Sequence, residues 1–167
     1  MVTAAQAPEE TLEQQIGRIA GIISSERFPT GERAALRRMN PDRPLPLSFY
    51  RFAFSYLPTG WEYAVDDWTT LVAGVALMSP GAYQAQVGFG RALGEAGYSE
   101  YRLERLLAAE DKVRRSLFLR AIRFLAAKSK AFNWTEGARF LLTKSESSRE
   151  TLNLSIARDF YSRVDKE

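Results

Sequence analysis

The chain has 167 residues, 46% of them hydrophobic and 26% charged, a balance that provides a globular core and excludes wholesale disorder. With no cysteine and no histidine it has no disulfide framework, no ordinary zinc site and none of the usual Ser-His-Asp or Cys-His arrangements. The net charge of +3 conceals an asymmetry: residues 1–90 carry 7 Lys/Arg against 9 Asp/Glu, a net of −2, and residues 91–167 carry 16 against 11, a net of +5.

The first predicted element is an amphipathic helix from about Glu9 to Ile23, with Leu12, Ile16, Ile19, Ala20 and Ile23 at spacings of three and four. A second helix follows over GERAALRRM, residues 31–39, with Thr30 placed to cap it. Here Arg33 and Arg37 lie one turn apart and Arg38 on the flank, while Ala35, Leu36 and Met39 point the other way, giving a cationic side and an apolar side. The proline-rich NPDRPLPL, residues 40–47, reads as a loop. In FYRFAFSYL, residues 49–57, aromatics alternate at a strand's period of two, but no second strand is evident to pair with it, so a helix is expected. The aromatics from Phe49 to Trp68 are assigned to the core.

Asp66 to Met78 is a mostly apolar helix with acid at its N-terminus, as the macrodipole favours. Residues 79–97 collect Pro80, Gly81, Gly88 and Gly90 and read as a linker, whose last part, Arg91 to Ala96, is a short helix that Gly97 can close. Ser99 then caps a helix through Ala109, and Asp111 opens another to about Lys128. Asn133-Trp-Thr-Glu136 has the form of a capping box, and a last helix runs from about Ser147 to Val164. The expected fold is all-α: two small helical bundles of about eight to nine helices, residues 1–90 acidic and aromatic-rich, residues 91–167 basic, joined by the Gly/Pro-containing linker.

Three motifs carry less than they suggest. GFGRALGEAG, residues 88–97, has the glycines of a dinucleotide fingerprint but no strand before it, and RFAFSY, residues 51–56, lacks the glycine and the partner strands of an RNA-recognition sheet. The adjacent pairs Asp66-Asp67 and Glu110-Asp111 point about 100° apart on a helix, so neither readily shares a metal or a proton. No enzymatic activity, cofactor or metal is therefore expected. No run reaches the roughly 18 apolar residues of a membrane span, and residues 1–15 show no basic segment leading into an apolar one. The expectation is a soluble cytoplasmic protein with no membrane partner.

The basic residues form the one persistent pattern. In the helix opened by Asp111, the residues Lys112, Ser116, Arg120, Arg123 and Ala127 fall within a stripe of about 80°, with few acids at the neutralising i+3 or i+4 positions. Arg102 and Arg105 share a face of the preceding helix, Arg139 follows Asn133, and Lys144 and Arg149 flank the SESS segment. Such a surface, without a catalytic constellation, suits contact with a phosphate backbone irrespective of base sequence.

The order of motifs also carries a resemblance. GERAALRRM, Gly60-Trp61, GRAL with its glycine turn (Gly90 to Gly97), R-x-x-R-L-L (Arg102 to Leu107), L-R-x-x-R-F-L (Leu119 to Leu125), F-N-W…A-R-x-L-L (Phe132 to Leu142) and A-R-D-F-Y (Ala157 to Tyr161) resemble the small, CasB-type subunit of the type I-E CRISPR effector complex Cascade. The resemblance spans about residues 12–162. It implies a non-enzymatic, two-domain helical subunit present in two copies beside the backbone and large subunits, which stabilises the R-loop by holding crRNA and target DNA through basic surface residues. The motif arginines it assigns are Arg33, Arg37, Arg38, Arg102, Arg105, Arg123 and Arg139; the stripe adds Arg120, and the basic pattern adds Lys144 and Arg149. The uncharged SPGAYQAQ, residues 79–86, departs from the longer, more basic loop of the family. The rival reading is a helical adaptor whose basic face docks an acidic protein.

Overall fold

The computed structural model describes residues 10–164; the expectations for residues 1–9, among them the lack of a targeting segment, lie outside the described residues. Within them are nine α-helices and no strand: α1 (Leu12–Ser24), α2 (Thr30–Arg37), α3 (Leu47–Tyr56), α4 (Val65–Met78), α5 (Phe89–Ala96), α6 (Glu100–Ala108), α7 (Asp111–Ala127), α8 (Trp134–Leu142) and α9 (Glu146–Val164). A short 3₁₀ turn over Trp61–Ala64 leads into α4.

Helix boundaries follow local chemistry. Thr11 and Gln14 form a reciprocal capping box at the start of α1, and Ser99 caps α6 by accepting from the Arg102 N–H. Gly97, at φ 82°, closes α5 in the left-handed conformation that glycine adopts without strain. Two expected caps differ. Thr30 is the first residue of α2 rather than its cap, because Pro29 occupies the cap position and no side chain bonds there. Asn133 does cap α8, accepting from Thr135 N–H, but Glu136 reaches across to the Phe89 N–H at 2.6 Å instead of back to Asn133. The Asn133 N–H is already donated to the Val87 carbonyl at 2.7 Å, so the reciprocal half of the box has no donor left to satisfy.

The segment with the alternating aromatics is helical, and burial explains the pattern. Phe49, Phe52 and Ala53 face the interior at helical spacing, whereas Leu47, Tyr50 and Phe54 are exposed on the other side. Alternation came from aromatics on both faces of one helix, not from a half-buried strand.

Helix α4 is buried on nearly every side, as expected for a helix apolar all round, and packs against α1, α2, α7 and α8. Gly74 makes this possible, since a Cβ there would stand 2.6 Å from the Trp134 indole of α8. An aromatic group of Phe89, Phe118, Phe132, Trp134 and Phe140 fills the space between α5, α7 and α8, with neighbouring centroids 4.7–6.0 Å apart. The loop expected as a linker is shorter than predicted, because α5 begins at Phe89. The division at residue 90 follows charge, while a single buried cluster runs across it from Ile16 to Phe160.

Candidate nucleic-acid interface

Helix α7 presents its polar stripe as the spacing predicts: Lys112, Ser116, Arg120, Arg123 and Ala127 are all exposed, while Phe118, Ala121, Ile122 and Leu125 are buried. Facing the stripe is the proline-rich loop between α2 and α3. Together they enclose an open cleft of about 390 Å³, lined by Arg38, Asp42 and Arg43 from the loop and by Lys112, Arg115, Arg120 and Arg123 from α7.

Charge pairing divides these side chains into two groups. Lys112 lies 3.7 Å from the Asp42 carboxylate, and Arg115 turns inward to Asp66 and Asp67 at 3.6 Å each. Arg38, Arg43, Arg120 and Arg123 are exposed and have no acidic partner within 4 Å among the described residues. Arg120 also borders a second niche of about 230 Å³, shared with Tyr98, Arg102, Arg105 and Leu117. Arg102 and Arg105 are likewise exposed and unpaired with acid. The two clefts make one cationic track, contributed by both charge halves of the chain. Along α7 it covers Lys112 to Arg123, about 16 Å at 1.5 Å per residue, comparable with about five phosphates of one strand.

The other expected site residues do not line these two clefts and have partners inside the protein. Arg33 donates to the carbonyls of Ile23 at 2.8 Å and Ser25 at 2.7 Å, at the end of α1. Arg37 does the same for α4, donating to Ala76 at 2.7 Å and Ser79 at 2.6 Å. Arg149 donates to Thr143, at the C-terminus of α8, at 2.8 Å. The last carbonyls of a helix lack intrahelical donors and carry the negative end of its dipole, so a guanidinium satisfies both needs. Arg139 pairs with Glu13 at 3.6 Å, and Lys144 with the buried Asp67 at 2.7 Å. The structure therefore brings together Arg38, Arg102, Arg105, Arg120 and Arg123 of the expected set. It adds Arg43, in the proline-rich loop, and Tyr98, between α5 and α6, neither of which the basic pattern of the sequence singles out.

Among the described residues no group of three or more His, Cys, Asp or Glu side chains is placed to hold a metal ion, and no helix is long and apolar enough to cross a membrane.

The architecture and this surface define a small all-helical protein with a continuous basic face. The chain belongs to the CRISPR-associated protein Cse2 family, whose model matches residues 32–161, and is a CasB-type subunit of Cascade. A crystal structure of CasB from Thermobifida fusca has a similar fold, with a TM-score of 0.65 at 15% identity over 90% of this chain and 95% of that one. No curated protein matches the chain.

Proposed function

We propose that this subunit is a non-enzymatic structural component of a cytoplasmic crRNA-guided complex, and that it stabilises the R-loop by holding nucleic-acid backbone without reading bases. The observation that carries the reading is the track itself: Arg38, Arg43, Arg102, Arg105, Arg120 and Arg123 line adjoining clefts with no acidic partner within 4 Å among the described residues. Exposed unpaired guanidinium groups release counterions from a phosphate backbone and fit its oxygens with a planar fork. Arg33, Arg37 and Arg149 are proposed to support the fold that presents the track, since their donors are engaged with helix carbonyls. The exposed side of α3, with Leu47 and Phe54, supports contact with the other protein subunits or a second copy.

The test is a salt titration with unrelated oligonucleotides. Replacing Arg120 and Arg123 by Ala should weaken binding to every sequence about equally and flatten the slope of log K against log salt by roughly 0.7 per lost contact for single strands, or 0.9 for duplex. Melting should move little, because the sites are exposed. Arg33→Ala and Arg37→Ala should do the opposite, lowering the melting temperature and leaving the slope unchanged. Wild-type protein that binds an acidic protein partner and no oligonucleotide would overturn the reading in favour of the adaptor.

A further inference from the structure

Tyr98 stands at the one point of the track where a side chain is both buried and polar. Gly97 ends α5 on one side of it and the Ser99 cap opens α6 on the other, which fixes the backbone from both directions. The residue is only 7% exposed, with its ring edge-on to Phe124 at 5.3 Å between centroids. Its hydroxyl has no hydrogen-bond partner among the described residues and is open to solvent rather than buried with the ring. Tyr98 forms part of the niche wall with Arg102, Arg105, Leu117 and Arg120.

Arg102, Arg105 and Arg120 all line this niche, none with an acidic partner within 4 Å among the described residues, and the Arg105 guanidinium lies 5.9 Å from the Tyr101 ring centroid. A neutral donor and three cationic side chains on the residues that line one recess are a donor set lacking an acceptor. The complementary ligand is an oxyanion. The recess is wider than a bare ion needs, and Leu117 gives it one apolar wall, which favours a phosphate that carries a sugar.

We propose that Tyr98, Arg102, Arg105 and Arg120 form a discrete seat for one phosphodiester of a nucleic-acid strand, with the Tyr98 hydroxyl donating to a non-bridging oxygen. This rests on the backbone-binding reading above and refines it, because a diffuse field would have no use for a neutral donor. Burial raises the Tyr98 pKa above its ordinary 10, outweighing the opposite pull of Arg102 and Arg105, so the phenol keeps its proton throughout the physiological range.

Tyr98→Phe separates the two ideas, since it removes the hydroxyl and leaves the ring packing. The seat requires this variant to bind oligonucleotides about three- to tenfold more weakly at every salt concentration, with an unchanged salt slope, because an uncharged donor releases no counterion. Its melting temperature should equal that of the wild type. Inorganic phosphate, titrated while the side-chain resonances of Tyr98 and Arg102 are followed by NMR, should shift both in the wild type and shift Arg102 less in the variant. Wild-type binding with a steep salt slope and an identical Tyr98→Phe affinity would overturn the seat and leave the backbone reading standing. Absence of oligonucleotide binding would overturn the backbone reading; the phosphate titration then decides the seat alone, as a free-anion site if the resonances move and as no site if they do not.

Discussion

Arg18, Arg33, Arg37, Arg114 and Arg149 each direct N–H groups at carbonyls on or beside a helix C-terminus: those of Tyr56, Ile23 and Ser25, Ala76 and Ser79, Ala109 and Phe140, and Thr143. Arg114 goes furthest, lying buried with its guanidinium 3.6 Å over the Phe140 ring; desolvation lowers its pKa to about 10, which still leaves it charged at neutral pH. Part of the arginine excess is thus structural, and sequence could not separate it from the track. On a helix wheel Arg37 and Arg38 are equally cationic; only the arrival of α4 beside α2 decides that one of them terminates a distant helix. Glu136 shows the same limitation with a testable sign. Burial raises its pKa above the ordinary 4.5, Asp159 adds to the rise, and the Phe89 N–H and Arg139 act against it. Its contribution to stability is therefore full below about pH 4.5 and is lost as pH rises through the folded value. Glu136→Gln keeps an acceptor for the Phe89 N–H and removes the charge, so it should melt higher than the wild type at pH 7, with the gap closing as the solution is acidified. A lower melting temperature at pH 7, with the wild type's pH dependence retained, would mean that the ionised bond to Phe89 outweighs its desolvation.

Single helices were the most legible part of the chain, because periodicity and caps are local. The stripe of α7 and the caps Ser99, Gly97 and Asn133 all occupy their expected places. The way helices approach one another was not legible, and α5 with α9 illustrates why. Gly90 lets the backbone of α9 come so near that a Cβ there would stand 2.1 Å from the Ile156 carbonyl oxygen. In the sequence that glycine suggested a linker; in the structure it is a buried contact surface. Gly90→Ala forces two backbones apart, beyond the ~1–3 kcal/mol typical of overpacked side chains. Its melting temperature should fall by roughly 10 °C or more. Gly21→Ala is the matched control: it lies inside α1 with nothing within 4 Å of the added methyl, so it should raise stability by about 0.5–1 kcal/mol. Equal melting of the two variants would show that α9 yields without loss.

At the scale of the molecule, α1 and α4, from the acidic portion, pack against α7 and α8, from the basic portion. Charge asymmetry is a surface property and carries no information about where a core divides. Residues 1–90 and 91–167 expressed as separate chains should each lack a cooperative melt, since each leaves the other's share of the common apolar cluster in water, and mixing them should restore helicity. A fragment 91–167 that melts cooperatively at the temperature of the intact chain would establish it as an independent unit. The track obeys the same geometry: Arg38 and Arg43 reach it from one side of residue 90, and the remaining arginines from the other, so it exists only when both are assembled.

The pairing of α1 with α8, where Glu13 meets Arg139, also sets a timetable for biosynthesis. About 120 residues separate the middles of these two helices, so at ordinary ribosomal speeds α8 emerges roughly 6–24 s after α1. Through that interval the flank of α1 destined for α8 stays uncovered. Helix α1 thus leaves the ribosome well before the helix that encloses it, and nascent chains paused between α4 and α8 are the species most in need of a chaperone.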